Sequence, residues 1–210
     1  DPTNQSVTAE EQTAVEITLS ATDSNPNTTF TYKISTLPSD GELSENGTVI
    51  NSGDLPKTLS SNKVSYKSNS DTATSDSFTF KANDGSVDSH QSATVNITIT
   101  PVNDTPLATN QSVTTIEDIP LEITLSGTDI ELDPLTYAIV SSPSNGSVTL
   151  VDNKATYVPS EGFFGSDSFT FKVNDGTIDS PVAATVSITV TSNDTDGDGV
   201  VDSLDECPDT

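Results

Sequence analysis

The chain repeats itself. NQSV at 4–7 returns at 110–113, and VEITLS at 15–20 returns as LEITLS at 121–126, both at an offset of 106 residues. SDSFTFKANDG at 75–85 matches SDSFTFKVNDG at 166–176 in ten of eleven positions, and ATVNITIT at 93–100 matches ATVSITVT at 184–191, now at an offset of 91. Self-similarity over such a period means that whatever unit one copy builds, the other builds too. The fall in offset gives the first copy 106 − 91 = 15 extra residues, mostly between Gly41 and Tyr66. That stretch is rich in Ser, Asn and Gly and reads as a longer loop or an added hairpin.

Within each copy, apolar residues alternate with polar ones, as in Val15, Ile17, Leu19 and Val95, Ile97, Ile99. Alternation with a period of two is the mark of half-buried strands, and the Thr residues that fill the outward positions are β-branched and suit a pleated surface. Each copy holds about seven such runs separated by turn residues, the spacing of a β-sandwich. In the second copy they fall near 111–114, 121–126, 135–140, 147–150, 154–157, 168–173 and 184–191. The inward sets are Leu121, Ile123, Leu125; Tyr137, Ile139; Phe169, Phe171, Val173; and Val186, Ile188, Val190. The expected fold is all-β: two tandem Greek-key β-sandwich domains, 1–103 and 104–192, followed by a short acidic calcium-loop tail at 193–210.

Charge narrows function. The chain of 210 residues carries 32 Asp plus Glu against 7 Lys and no Arg, a formal net charge of −25. Such a polyanion is repelled by nucleic-acid phosphates and by acidic membrane surfaces, so a nucleic-acid role is excluded and cationic partners, metal ions first, are implied. The apolar fraction of 31 % is below that of an average globular chain and leaves only a thin core per domain. No run approaches the ~18 apolar residues of a membrane span, and no signal segment is visible. With no initiator Met, the chain reads as a piece cut from a longer, tandem-repeat protein.

The run KANDGSVDSHQSATVNITITPVNDTP at 81–106 is similar to the C-terminal half of a cadherin repeat, in which an Ala-x-Asp turn, an alternating last strand and an Asn-Asp linker ending in Pro follow in that order. With IED at 116–118, ITLSGTD at 123–129, LTYAIV at 135–140, YVPSEGFFGSDSFTF at 157–171 and NDG at 174–176, residues 1–192 resemble the bacterial cadherin-like tandem repeats of large secreted and surface proteins. The resemblance implies calcium between successive domains. It carries Glu11 over as the acid of the first strand, Asn103 and Asp104 as linker ligands, Asp129 and Glu131 as the acidic pair after the second strand, and Asp175 as the acid of the turn, all converging on one junction. Glu117 would serve the next junction, and Asp23 and Asp84 the preceding one. The physical warrant stands beside the name, because calcium takes six to eight oxygen ligands and carboxylates, carboxamides and carbonyls at loop tips supply them. The Leu-Asp-Arg-Glu segment of classical cadherins has no match, and Asn25 stands in the first copy where the second has Glu131. Solvated acidic loops that keep the chain soluble are the competing reading.

DTDGDGVVDSLD at 194–205 has calcium-loop spacing: Asp194, Asp196 and Asp198 at positions 1, 3 and 5, Gly199 at the sharp turn, the Val200 carbonyl at 7, Asp202 at 9 and Asp205 at 12. No helical pattern flanks it, which argues against an EF-hand. Continuing into ECPDT, it resembles the opening of a thrombospondin type 3 repeat, whose cysteines pair between neighbouring repeats; Cys207 would lack that partner here.

Enzymatic readings are weak. His90 is the only histidine, in a loop and without a nucleophile motif, and the absence of Trp, with only four Tyr, undercuts the aromatic-lined cleft that glycoside chemistry needs. Phe163 and Phe164 read as a core plug in preference to an exposed aromatic pair. The function expected is a calcium-binding structural or adhesion segment, a rigidified spacer, of a large secreted or cell-surface bacterial protein. It is not an enzyme and not membrane-embedded, and its partners are calcium ions together with neighbouring repeats of the chain or a cell-surface protein or glycan. The alternatives are an accessory glycan- or protein-binding module of an extracellular hydrolase, and homophilic adhesion through the sandwiches.

Overall fold

The structure, a computed structural model, describes residues 1–25 and 27–193. The chain divides into two compact units, Asp1–Val102 and Asn103–Thr210. Among the described residues no α-helix occurs, and none of their helical segments is long and apolar enough to cross a membrane.

The first unit is built from β1 (Gln5–Glu10), β2 (Val15–Thr18), β3 (Thr31–Thr36), β4 (Gly41–Glu45), β5 (Thr48–Val49), β6 (Lys57–Thr58), β7 (Lys63–Ser68), β8 (Ser75–Asn83) and β9 (Ala93–Thr100). One sheet runs β1-β9-β8-β3-β6 and the other β2-β7-β4-β5. The second unit uses β10 (Leu107–Ala108), β11 (Gln111–Ile116), β12 (Leu121–Thr124), β13 (Gly127–Thr128), β14 (Thr136–Ser141), β15 (Gly146–Val151), β16 (Lys154–Pro159), β17 (Gly165–Asn174) and β18 (Ala184–Thr191). Its sheets are β11-β18-β17-β14 and β12-β16-β15, with the short pair β10-β13 beside them. Each unit is therefore a β-sandwich, as the alternating pattern requires.

All seven strands expected in the second copy form. The pair β10-β13 was not expected, because two-residue strands carry no periodicity; the close approach of Leu107 works because a Cβ at Gly127 would stand 2.9 Å from the Leu107 carbonyl. Burial follows the pleat. In β18 the residues Ala184, Val186, Ile188 and Val190 are buried while Ser187, Thr189 and Thr191 face out, since successive strand side chains point to opposite faces. Phe169, Phe171 and Val173 of β17 meet them in the core, with Leu121, Tyr137 and Ile139 packed at its margin. Each fully buried side chain of this size contributes about 1.5–3 kcal/mol, which is how a small apolar fraction suffices when it is concentrated on two facing surfaces.

In both units the first long strand pairs in parallel with the last: β1 with β9 from Gln5↔Val95 to Glu10↔Thr100, and β11 with β18 from Gln111↔Val186 to Ile116↔Thr191. This register carries the residue after each first strand to the exit of the last, so that the Glu11 amide donates to Thr100 O at 3.1 Å and the Glu117 amide to Thr191 O at 2.9 Å.

The extra residues of the first copy form β5, which pairs back on β4 as a hairpin, and then cross over. Strand β6 adds to the edge of the opposite sheet, pairing Lys33↔Thr58 and Ile34↔Lys57. The insertion is thus a hairpin and also an edge strand for the other layer. The reading of Phe163 and Phe164 as a joint core plug is corrected. Phe163 packs on the core, whereas Phe164 is 63 % exposed, because neighbours in a chain entering a strand cannot both face inward.

Candidate functional site

The acidic residues of the second unit assemble from its turn chemistry. After β17 the chain reads Asn174-Asp175-Gly176. Gly176 adopts φ +98°, a left-handed conformation that glycine takes without steric cost, and its amide donates to Asn174 Oδ1 at 2.7 Å. Asp175 Oδ1 accepts from the amides of Thr177 and Ile178 at 2.6 and 2.7 Å, while Asp175 Oδ2 accepts from Asn103 Nδ2 at 2.8 Å. The Ile178 amide and the Asn103 carboxamide hold the Asp175 carboxyl below the usual carboxylate range. The turn thereby anchors the linker.

One residue on, the Asp104 amide donates to Glu131 Oε2 at 3.3 Å. Carboxylate oxygens of Asp104 and Glu131 lie within 4.8 Å of one another. Asp129 begins the same loop and accepts the Asp133 amide through Oδ1 at 3.0 Å. Three oxygens, Asp104 Oδ2, Asp129 Oδ2 and Glu131 Oε1, are shielded from solvent without any hydrogen-bond partner. Shielded, unpartnered carboxylate oxygens are costly unless a cation or a proton meets them.

Of the ligands expected for the junction, the second unit therefore brings Asn103, Asp104, Glu131 and Asp175 together through hydrogen bonds, with Asp129 on the loop that carries Glu131. Asn103 and Asp175 are spent on each other, and the unsatisfied oxygens belong to the other three. Glu11 lies in the first unit, buried at the end of β1, and its Oε2 also lacks a partner. Its counterpart Glu117 is buried and accepts from the Asn193 amide at 2.7 Å and from Ser192 Oγ at 3.3 Å. In the first unit Asp84 repeats the Asp175 turn, accepting from the Ser86 and Val87 amides at 2.8 and 2.9 Å, and Asp23 Oδ1 accepts the Asn25 amide at 2.7 Å. Asp194, Asp196, Asp198, Val200, Asp202, Asp205 and Cys207 lie outside the described residues. His90 is exposed.

Sequence reasoning missed one charged constellation in each unit. Asp167 is buried in β17 and accepts from the amides of Ser144, Asn145 and Ser168, each at 2.9 Å, and from the Tyr157 hydroxyl at 3.0 Å. Burial works to raise the Asp167 pKa, but these donors outweigh it and hold the group below the usual carboxylate range. Burial first, and the Asp167 carboxylate second, push the Tyr157 phenol up. Asp76 repeats the arrangement with Ser39, Asp40, Ser77 and Tyr66. The available signal was an aspartate in the inward register of a strand, two residues before Phe169 and Phe78.

Comparison with curated proteins gives no match. Among solved structures, human protocadherin-24 EC1-2 aligns at 16 % identity over 90 % of this chain and 97 % of that one, with a TM-score of 0.58. Mouse protocadherin-24 EC1-3 aligns at 15 % identity over 90 % and 70 %, with a TM-score of 0.59. These likenesses show the fold, two cadherin-like sandwiches in series. An endo-fucoidan hydrolase of glycoside hydrolase family 107 aligns at 20 % identity with a TM-score of 0.35, over 90 % of this chain, which spans 28 % of that enzyme's length. The bacterial Ig domain matches twice, at residues 1–99 and 103–189, once per repeat, and the chain belongs to that family.

Proposed function

We propose that the chain is a calcium-binding structural and adhesion segment of a large secreted or cell-surface protein, its domains held in series by metal at their junctions. What supports this reading is the set of shielded, unpartnered oxygens of Asp104, Asp129 and Glu131. They are hard donors of the kind calcium takes, at a loop tip where the backbone has already been fixed by Asn103 and Asp175. Glu11 would add a carboxylate from the first domain. The metal supplies positive charge that cancels carboxylate repulsion. Glu117 would act in the same way at the following junction. The loop 194–205, with its resemblance to a thrombospondin type 3 repeat, would hold further calcium, and neighbouring repeats or a surface protein or glycan would be the partners.

Thermal melting in CaCl2 and in EDTA tests the reading. A ligand that binds only the folded state adds about 2.7 kcal/mol at 100 times its dissociation constant, a rise on the order of 10 °C or more for domains of this size. The rise should shrink in Asp104→Asn with Glu131→Gln, and part of it should survive removal of residues 194–210. Superimposable melting curves in the two buffers would sink the proposal.

A further inference from the structure

The two units differ most at the open side of the sandwich, where the second has a groove and no covering strand. In the first unit the edge strand β3 is covered. Strand β6 pairs with it, and the Leu59 amide extends the ladder by donating to Tyr32 O at 2.9 Å. Ile50 and Leu59, both buried, join the core there, with Leu55 packed against it. Tyr32 and Ile34 are consequently 6 % and 0 % exposed.

The second unit has the same edge without the cover. Between Gly146 and Tyr157 it has 11 steps of chain, where Gly41 to Tyr66 takes 25, and β14 ends its sheet with no strand on its outer side. Tyr137 and Ile139, the counterparts of Tyr32 and Ile34, are only partly buried. A groove of about 640 Å³ opens beside them, lined by Leu135, Thr136, Tyr137, Leu150, Asp152 and Asn153. The acid that secures the insertion in the first unit is also gone. Glu45 accepts from Ser60 Oγ at 2.8 Å and faces Lys57 at 3.8 Å, whereas the matching position holds Leu150, which lines the groove.

We propose that this groove takes an extended, lysine-bearing peptide segment of another protein, added as a strand along β14 with a leucine-sized side chain set against Tyr137 and Leu150. The first unit supplies the template for the occupant in its own residues Leu55–Ser60, two backbone pairings and an apolar side chain that closes the core. Charge selects for lysine, because residues 103–193 carry 12 Asp and Glu against Lys154 and Lys172, an excess of 12 − 2 = 10 acids. An open edge offers main-chain hydrogen bonds, and the groove beside it selects side chains. None of the lining residues belongs to the acidic tip, so the inference stands or falls separately from the calcium reading.

The test uses the full chain and a labelled peptide with the sequence of residues 50–60, preceded by two lysines. Expected are saturable binding by fluorescence anisotropy, unchanged by EDTA, and amide shifts confined to 135–139 and 150–153. Leu150→Ser should weaken binding about tenfold, from the loss of one buried leucine contact. A variant in which Leu150–Asn153 is replaced by residues 45–62 should keep its melting temperature and lose binding altogether. Absence of saturable binding, binding indifferent to the graft, or a chain that dimerises through β14 in sedimentation while ignoring the peptide would each overturn the proposal.

Discussion

Asp167 shows how a charge can be part of a core this thin. Its carboxylate closes the Ser144–Asn145 turn onto β17 and ties in Tyr157, so four donors depend on one side chain. Its pKa is depressed in the folded chain, so its stabilisation is fully present above the unfolded value of about 4 and is lost as pH falls through the folded value. Tyr157 is raised, so its share is present below about pH 10 and is lost at higher pH. Asp167→Asn turns an amide group toward N–H donors and should cost about 1–3 kcal/mol at pH 7. It should also flatten the loss of stability below pH 4, which urea melts across pH 3–7 would register. The inward phenylalanines of the same strand were legible from alternation alone. Asp167 was not, because only its partners, brought from residues 144, 145 and 157 by the fold, make an inward carboxylate tolerable.

At the level of strands, the two copies use one device to turn into the second sheet. A Cβ on Gly146 would sit 2.6 Å from both the Tyr157 ring and the Val158 carbonyl, and one on Gly41 would meet Tyr66 and Lys67 at 2.5 and 2.6 Å. The glycine lets β15 pass flat across the aromatic ring that Asp167 holds. Gly146→Ala should therefore destabilise the second unit by about 1–3 kcal/mol, the usual cost of overpacking, seen as a lower melting temperature without loss of strand signal in circular dichroism. Strand existence could be read from the sequence because hydrophobic period and turn residues are local. The β10-β13 pair, the crossing of β6 to the other sheet and the outward turn of Phe164 are settled by which neighbour a segment meets, and no local pattern carries that. The acidic tip was legible as a set of residues through the linker and turn motifs. The division of labour within it, with Asn103 and Asp175 fixing the backbone and Asp104, Asp129 and Glu131 left unsatisfied, emerged only from hydrogen-bond geometry.

Over the whole molecule, a net charge of −25 makes self-repulsion a standing load on the folded state. Raising NaCl from 20 to 500 mM shortens the screening length to well under 10 Å and should lift the melting temperature by roughly 2–5 °C. CaCl2 at matched ionic strength should lift it further, and equal effects of the two salts would mean screening alone. The parallel pairing of first and last strands bears on a different kind of load. Because β1 runs alongside β9, and β11 alongside β18, the chain enters each unit at one pole and departs at the other. Tension on the ends therefore tries to slide the terminal strands past each other, straining every rung between them together instead of peeling the rungs singly. Each sandwich is wired as a shear joint.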